Sequence, residues 1–362
     1  MKLIKRMIII LSVLWLITVG IRINLLQSNS RITKSNWHYT SLVKNSIKLE
    51  NVEERIINVL IKPFNDHVFR QNKPSDKDNQ EKFALLDIRI GDSVETVLEK
   101  LGQPARQDAS QYGFQWYIYN QDYSKYFQIG IQQDKVVGLY TNSPLWQSKR
   151  DIQVGADRKY VVDLLGNPLE YIKKANTIYY LTTPEESHTY LIDNYYATIF
   201  FDLHNDQKVT AIQLIEKTTE EALQGFYGGI HQELADAFEK QVFDLANATR
   251  ARFGLPLLQW EEKAAIAARK HSKDMAMRNY FAHESPSGIG PSDRIEKEGL
   301  AWRKSGENIA AGQTSAIYAH ENWMNSLGHR ENILGDFERL GVGVYFGGEY
   351  RIYYTQEFYT PL

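Results

Sequence analysis

Tyr280-Phe281-Ala282-His283, then Gly306-Glu307-Asn308, then Trp323 through Gly328-His329-Arg330, then Gly341-Val342-Gly343, follow one another near the C-terminus of the chain. They bring two histidines and a carboxylate, each beside a glycine or an aromatic residue, into about a hundred residues, the size of one domain built around one polar cleft. Function is to be sought in that cleft.

Helical patterns precede it. Leu234, Phe238, Val242, Phe243, Leu245 and Ala246 recur at helical spacing and stop at Phe253-Gly254-Leu255-Pro256. A second helix is predicted from about Glu261 to Asn279, carrying Ala265, Ile266, Ala268, His271, Met275 and Met277. On that helix His271 reads as a packed or capping histidine, and Asp274 with Arg294 as a loop-helix ion pair. Glu307-Asn308 reads as the cap of a helical segment, and Trp323 as the core anchor of a helix ending near Gly328. Asn247-Ala248-Thr249 fits a glycosylation sequon but falls inside a predicted helix, which argues that it is unused.

Taken together, Asn247-x-x-Arg250, Leu255-Pro256-Leu257, His271-Ser272-Lys273-Asp274-Met275-Ala276, Tyr280-Phe281-Ala282-His283, Asp293-Arg294, Gly306-Glu307-Asn308-Ile309-Ala310, Trp323-Met324-Asn325-Ser326-x-Gly328-His329-Arg330-x-Asn332-Ile333-Leu334 and Gly341-Val342-Gly343-Val344 closely resemble the CAP superfamily. Its modules are also called SCP-like domains, after cysteine-rich secretory proteins, antigen 5 and pathogenesis-related 1. The resemblance implies an α-β-α sandwich over 232–360, with a cleft whose two histidines and two acidic residues bind a divalent cation in some members. On the matching motifs His283 and His329 are the histidines and Glu307 the carboxylate; Asn308, Ser326 and Trp323 support the cleft. Ser326 stands where eukaryotic members often have a second glutamate.

Two neutral imidazoles and one carboxylate are also, by chemistry alone, the ligand set of a zinc site with an open position for water. Zn2+ or another divalent cation is therefore the cofactor to expect at His283, His329 and Glu307, if there is one. Against a catalytic site, no His-Glu-x-x-His helix is present: His320-Glu321-Asn322-Trp323-Met324 carries half of it, and there is no Gly-x-Ser-x-Gly elbow.

The remaining two thirds of the chain read differently. Ile90-Gly91-Asp92 through Leu101-Gly102-Gln103-Pro104 matches Val154-Gly155-Ala156 through Leu165-Gly166-Asn167-Pro168, an internal repeat of a turn, a short helix and a Gly-x-Pro stop. Aromatic and β-branched strands follow each copy: Gln115 to Tyr119, Tyr126 to Gln132 and Val136 to Thr141, then Thr177 to Leu181, Tyr195 to Leu203 and Val209 to Ile215. Two α+β lobes (about 85–145 and 150–217) or one pseudo-symmetric domain over 81–218 is expected, resembling the CAP-associated domain of bacterial envelope proteins. The strand tyrosines suggest a half-buried surface, with a protein contact preferred over a sugar platform.

Lys2, Lys5 and Arg6 precede an uncharged apolar run from Met7 to Ile21, the layout of a signal anchor or signal peptide over 1–22. The run spans only about 22 Å at a rise of about 1.5 Å per residue. Residues 23–80 are polar, read as a stalk and linker interrupted by an amphipathic pattern at Val52, Ile56, Ile57, Leu60 and Ile61. The absence of cysteine excludes thiol catalysis, Cys-ligated zinc and disulfides, and a net charge of -2 with interspersed signs favours no nucleic acid.

The expected protein is thus an α+β, extracytoplasmic envelope protein, tethered by 7–21 or secreted after cleavage. Three roles are open: a binding or interaction module for a protein, lipid, peptide or glycan; a metal-dependent hydrolase with Glu307 as general base; or a structural sensor reporting to the central repeats. Enzymatic activity is the less favoured expectation.

Overall fold

The computed structural model describes residues 82–182 and 185–362. The expected signal segment, stalk and amphipathic pattern lie outside the described residues.

Among those residues, the first sequence repeat forms β1 (Phe83–Leu85), α1 (Val94–Leu101), β2 (Arg106–Ala109), β3 (Gln115–Tyr119), β4 (Phe127–Gln132), β5 (Lys135–Thr141) and β6 (Trp146–Ser148). The second forms α2 (Arg158–Leu165), β7 (Tyr171–Lys174), β8 (Thr177–Tyr180), β9 (Ser187–Ile192), β10 (Tyr195–Asp202) and β11 (Lys208–Glu216). Each helix ends on a glycine with positive φ, 73° at Gly102 and 79° at Gly166, whose N–H closes on the carbonyl four residues back. The two copies do not form separate lobes. They share one antiparallel seven-stranded sheet of order β2-β3-β4-β5-β11-β10-β9, joined where β5 pairs with β11. The turn before each helix is tied to the corresponding strand in the same way, Gly91 N to Val136 O and Gly155 N to Val209 O, both at 2.8 Å.

β9, which the sequence expectation leaves out, opens on the polar Ser187, His188 and Thr189; Thr189 and Thr198 of β10 bond hydroxyl to hydroxyl at 3.0 Å inside the sheet. One sheet face buries Val97 and Val161 of the two short helices with Ile129, Leu139, Ile199 and Leu214. The other face turns toward the C-terminal domain.

α3 (Lys217–Ala222) packs back on β7, β10 and β11 and closes the central domain; the C-terminal domain consists of α4 (Gln232–Arg252), β12 (Gln259–Trp260), α5 (Glu262–Arg278), α6 (Pro291–Lys297), β13 (Trp302–Ala311), α7 (Ala316–Met324), α8 (Leu327–Ile333), β14 (Arg339–Phe346) and β15 (Ile352–Pro361). Its sheet runs β12-β14-β15-β13. Strand alternation sends Leu340, Val342, Val344, Tyr354 and Phe358 toward α4, while Gly341, Gly343 and Tyr359 face α5 and α6. The result is the expected three-layer sandwich. Two local expectations are corrected: Glu307 and Asn308 sit within strand β13 rather than at a helix start, and the helix carrying Trp323 stops at Met324, a second one opening at Leu327. Asn247 is buried, its amide closing a two-way bond with the Leu258 backbone, which leaves no acceptor for a glycan.

The central sheet and α4 share one core, in which Phe114, Trp116, Tyr126 and Tyr140 pack with Leu234, Phe238 and Leu245. Full burial of each such side chain is worth about 1.5–3 kcal/mol. Tyr126 and Tyr140 are fully covered and present no face to a sugar. Polar clamps cross the same seam: Arg106 bridges Asp108 and Asp244 at 2.6 and 2.7 Å, and Arg252 donates to the carbonyls of Asn142 and Thr210 at 2.6 Å. Glu321 is buried at this seam, and that burial, only partly offset by Arg252, pushes it up to about 7 from 4.5. A carboxyl raised on folding contributes stability that is full below its unfolded value and lost as pH rises through the folded one. Glu321→Gln is therefore expected to be close to neutral at pH 4 and to gain about 1 kcal/mol or more at pH 8. Thermal melts at the two pH values check this; equal effects at both would show that Glu321 ionises as freely in the folded state as in the unfolded chain.

Candidate functional site

The site is built on a cross-strand pair. Glu307 of β13 lies directly opposite Glu357 of β15, and both side chains are buried beneath α6 and the loop that follows α5. Two carboxylates this close and this dry cannot both ionise without a cation. Arg294, on α6, supplies it: its guanidinium contacts Glu307 Oε2, donates from Nε to Glu357 Oε1 at 3.2 Å, and reaches the carbonyls of Ile289 and His283 at 3.0 and 2.9 Å. Gly290 and Asp293 start the short helix that aims it, the Asp293 carboxylate accepting from Gly290 N at 2.8 Å.

The two acids divide. Burial raises Glu307, but the bond from His283 and the charge of Arg294 outweigh it and hold its carboxyl below the usual range. Burial, and then the Glu307 charge, push Glu357 well above that range, so of the two acids it is the one that holds its proton more tightly.

His283 Nδ1 donates to Glu307 Oε1 at 2.7 Å while about half of its side chain stays exposed, leaving Nε2 outside that bond. His271, on α5, is buried 3.7 Å from Glu307 Oε2 and donates from Nε2 to Ala282 O at 3.1 Å. Its burial, against the Glu307 charge, lowers it to about 4, so it is neutral under ordinary conditions.

His329 comes from the other side, on α8. Asn308 is fully buried and holds that helix to the sheet, donating to His329 O at 3.1 Å and Gln356 Oε1 at 3.0 Å, while Asn332 returns bonds to Asn308 Oδ1 and Glu307 O at 2.9 and 3.0 Å. Burial, and then the His283 charge, lower the His329 imidazole, and its Nδ1 is buried without a partner. Gly306 is required here because a Cβ would meet Asn332 Oδ1 and Phe337 at 2.9 Å. Trp323 is fully buried, its indole N–H on Ile309 O at 3.0 Å. Ser326 occupies the position before α8 and makes no side-chain capping bond.

The residues read from sequence thus converge in part: His283 meets Glu307, Asn308 braces His329, and Trp323 backs β13. Arg294 and Glu357 were missed. Arg294 does not pair with Asp274, which instead meets Arg278 at 3.3 Å and accepts from the Tyr280 hydroxyl at 2.6 Å. The clue to Glu357 was a lone acid in an apolar, aromatic strand. As a cation site the cluster fits poorly: both Glu307 oxygens are engaged, and among the described residues no group of three or more His, Asp or Glu side chains is arranged to hold a metal ion.

A three-layer sandwich with this histidine and glutamate pair, docked on a repeated antiparallel domain, defines a CAP-type protein. The chain belongs to the CAP family: residues 243–358 match the model of the cysteine-rich secretory protein family and residues 90–226 that of the CAP-associated N-terminal domain. It is 30% identical over 289 residues to the Bacillus subtilis membrane protein YlbC, covering 74% of this chain and 82% of that one. It is also 42% identical over 123 residues to B. subtilis YkwD, covering 34% of this chain and 47% of the relative. Among solved structures, an extracellular SCP-domain protein of Bacillus anthracis superposes with a TM-score of 0.66 at 31% identity, over 75% of this chain and 93% of that one. A cysteine-rich secretory protein of Staphylococcus aureus superposes with a TM-score of 0.60 over 75% and 91%; at 16% identity that likeness concerns the fold. Among the described residues no helix is long and apolar enough to cross a membrane.

Proposed function

We propose that this protein is an extracytoplasmic binding module of the cell envelope, whose CAP cleft takes a small apolar or peptide ligand through the outward face of His283. The observation that carries this reading is the saturation of Glu307. A carboxylate held by Arg294 and His283 below its usual range is a weak base and a blocked metal ligand, but a firm brace for an imidazole. His283 then offers one fixed nitrogen to a hydrogen-bonding group, beside the exposed ring of Phe281, which lies against Tyr350 at 6.1 Å. Location outside the cytoplasm is supported by the basic and apolar start of the chain and by relatives named as membrane and extracellular proteins.

A second reading draws on the same dyad. A buried carboxylate orienting an exposed imidazole is also how a general base is held, which keeps hydrolysis of an envelope peptide or polymer as the alternative. Calorimetric titration of the full-length protein in mild detergent with zinc, then calcium, separates the two metal cases. Heats no larger for the native protein than for a folded His283→Ala/His329→Ala variant are expected. Saturable binding by the native protein alone would restore the metal hydrolase and overturn the metal-free cleft.

A further inference from the structure

The helix that presents His329 has little to hold it in place by itself. α8 is seven residues long, buries only Ile333, and exposes Leu327 to 60%. A helix this short is not stable on its own hydrogen bonds, so its position is set by whatever grips its ends. Asn308 and Asn332 grip one side from β13. The other grip comes from the central domain.

At the end of β10 the chain passes through Phe201, Asp202, Leu203 and His204, and every one of these bonds to the joint between α7 and α8. Asn325 Oδ1 accepts from Leu203 N at 2.9 Å, Asn325 Nδ2 donates to Phe201 O at 3.0 Å, and the Asn325 carbonyl accepts from His204 Nε2 at 3.0 Å. Asp202 takes Arg330, the residue next to His329, in a two-pronged pair with both contacts at 3.0 Å. Both side chains of that pair are largely buried, 12% exposed for Arg330 and 7% for Asp202. The guanidinium also donates to Met324 O at 3.1 Å and lies over the ring of Phe253 at 5.5 Å, so it is fixed on three sides.

We propose that the central domain is a working part of the CAP cleft: Asp202 and the 201–204 turn are positioning elements that set where α8 holds His329. The central domain is then more than a spacer. Displacing it, by a partner or by load on the chain, would release one side of the cleft without touching His283, which is braced from α6 and β13. In functional terms this rests on the reading of the cleft as the binding site; its test needs no ligand.

The test is the reactivity of the two histidines in the full-length protein. Diethyl pyrocarbonate modification is followed by mass spectrometry at His329 and His283, with hydrogen exchange of 327–333 alongside, in native protein and in Asp202→Asn and Asn325→Ala. Asp202→Asn keeps the shape and removes the charge; Asn325→Ala cuts the other set of bonds. A rise of roughly fivefold or more at His329, with faster exchange in 327–333 and His283 changed by less than twofold, is expected in both. No change at His329, or an equal rise at both histidines and across the domain, would reduce the turn to general interdomain stability and overturn the proposal. The zinc titration fails or succeeds separately, so a wrong reading of the cleft is told apart from a wrong reading of the turn.

Discussion

Arg294→Met is expected to destabilise the C-terminal domain by about 3–5 kcal/mol, the cost of removing one partner from a buried ion pair and stranding the other. The loss is large because Arg294 serves two acids and two carbonyls, and among the described residues no other Arg or Lys pairs with Glu307. The partners predict a contrast. Glu307 is the anion of the pair, so Glu307→Gln should cost nearly as much, leaving the guanidinium without its counter-charge. Glu357 is the acid pushed toward its protonated form, so Glu357→Gln should cost the less of the two, about 1 kcal/mol. Arg294→Lys should fall between, since an ammonium keeps the charge but cannot span the same acceptors. The pH dependence follows from Glu307: a carboxyl lowered on folding contributes stability above its unfolded value of 4.5, lost as pH falls through the folded one. The gap between native protein and Arg294→Met should therefore narrow below about pH 4.5. Denaturant melts of the five proteins at pH 7 and pH 4 measure it. Equal costs for the two glutamine variants would remove the division of charge on which the site is argued.

The parts of this site that were legible in the sequence, and those that were not, differ by a physical rule. His283, Glu307 and His329 could be picked out because each sits beside punctuation: Ala282 after an aromatic pair, Gly306, Gly328. The helices of 232–252 and 262–278 could be placed because their apolar residues recur at 3.6. Arg294 has no glycine beside it, and the only local mark of Glu357 is that it is an acid among the aromatic residues of its strand. What makes them functional is a pairing across 63 residues, set by strand register and by the packing of α6 on β13, and neither is a local property. The same holds for the joining of the two repeats. Their similarity was visible, but the β5–β11 contact that merges them depends on which edges meet. His271 was read correctly as a packed histidine and yet lies against the site, because helix periodicity gives a face and not what that face touches.

Gly341-Val342-Gly343 was visible as a motif without a reason, and the reason yields the last prediction. These glycines lie on β14 where α5 crosses it. A Cβ at Gly341 would stand 2.1 Å from Ala265 N and 2.2 Å from Ala264 C; at Gly343 it would stand 2.0 Å from Arg269 N. The obstructing atoms are helix backbone, which cannot turn aside as a side chain would. On the other surface, Ala264, Ala265, Ala268 and Ser272 are buried and small, and the Ser272 hydroxyl donates to Gly343 O at 3.0 Å. Helix and strand therefore meet main chain to main chain, and one methyl group forces them apart along their length. Gly341→Ala or Gly343→Ala should exceed the roughly 1–3 kcal/mol usual for overpacking, because relief requires moving α5, and with α5 goes His271 and the loop bearing His283. Gly328→Ala is the control, since nothing lies within 4 Å of a Cβ there. The expected outcome is loss of folded soluble protein, or a melt lowered by more than about 10 °C, for the β14 variants, with Gly328→Ala within a few degrees of native. A native-like melt for Gly343→Ala would mean that α5 and β14 are not in backbone contact, and the placement of His271 and His283 against Glu307 would fall with it.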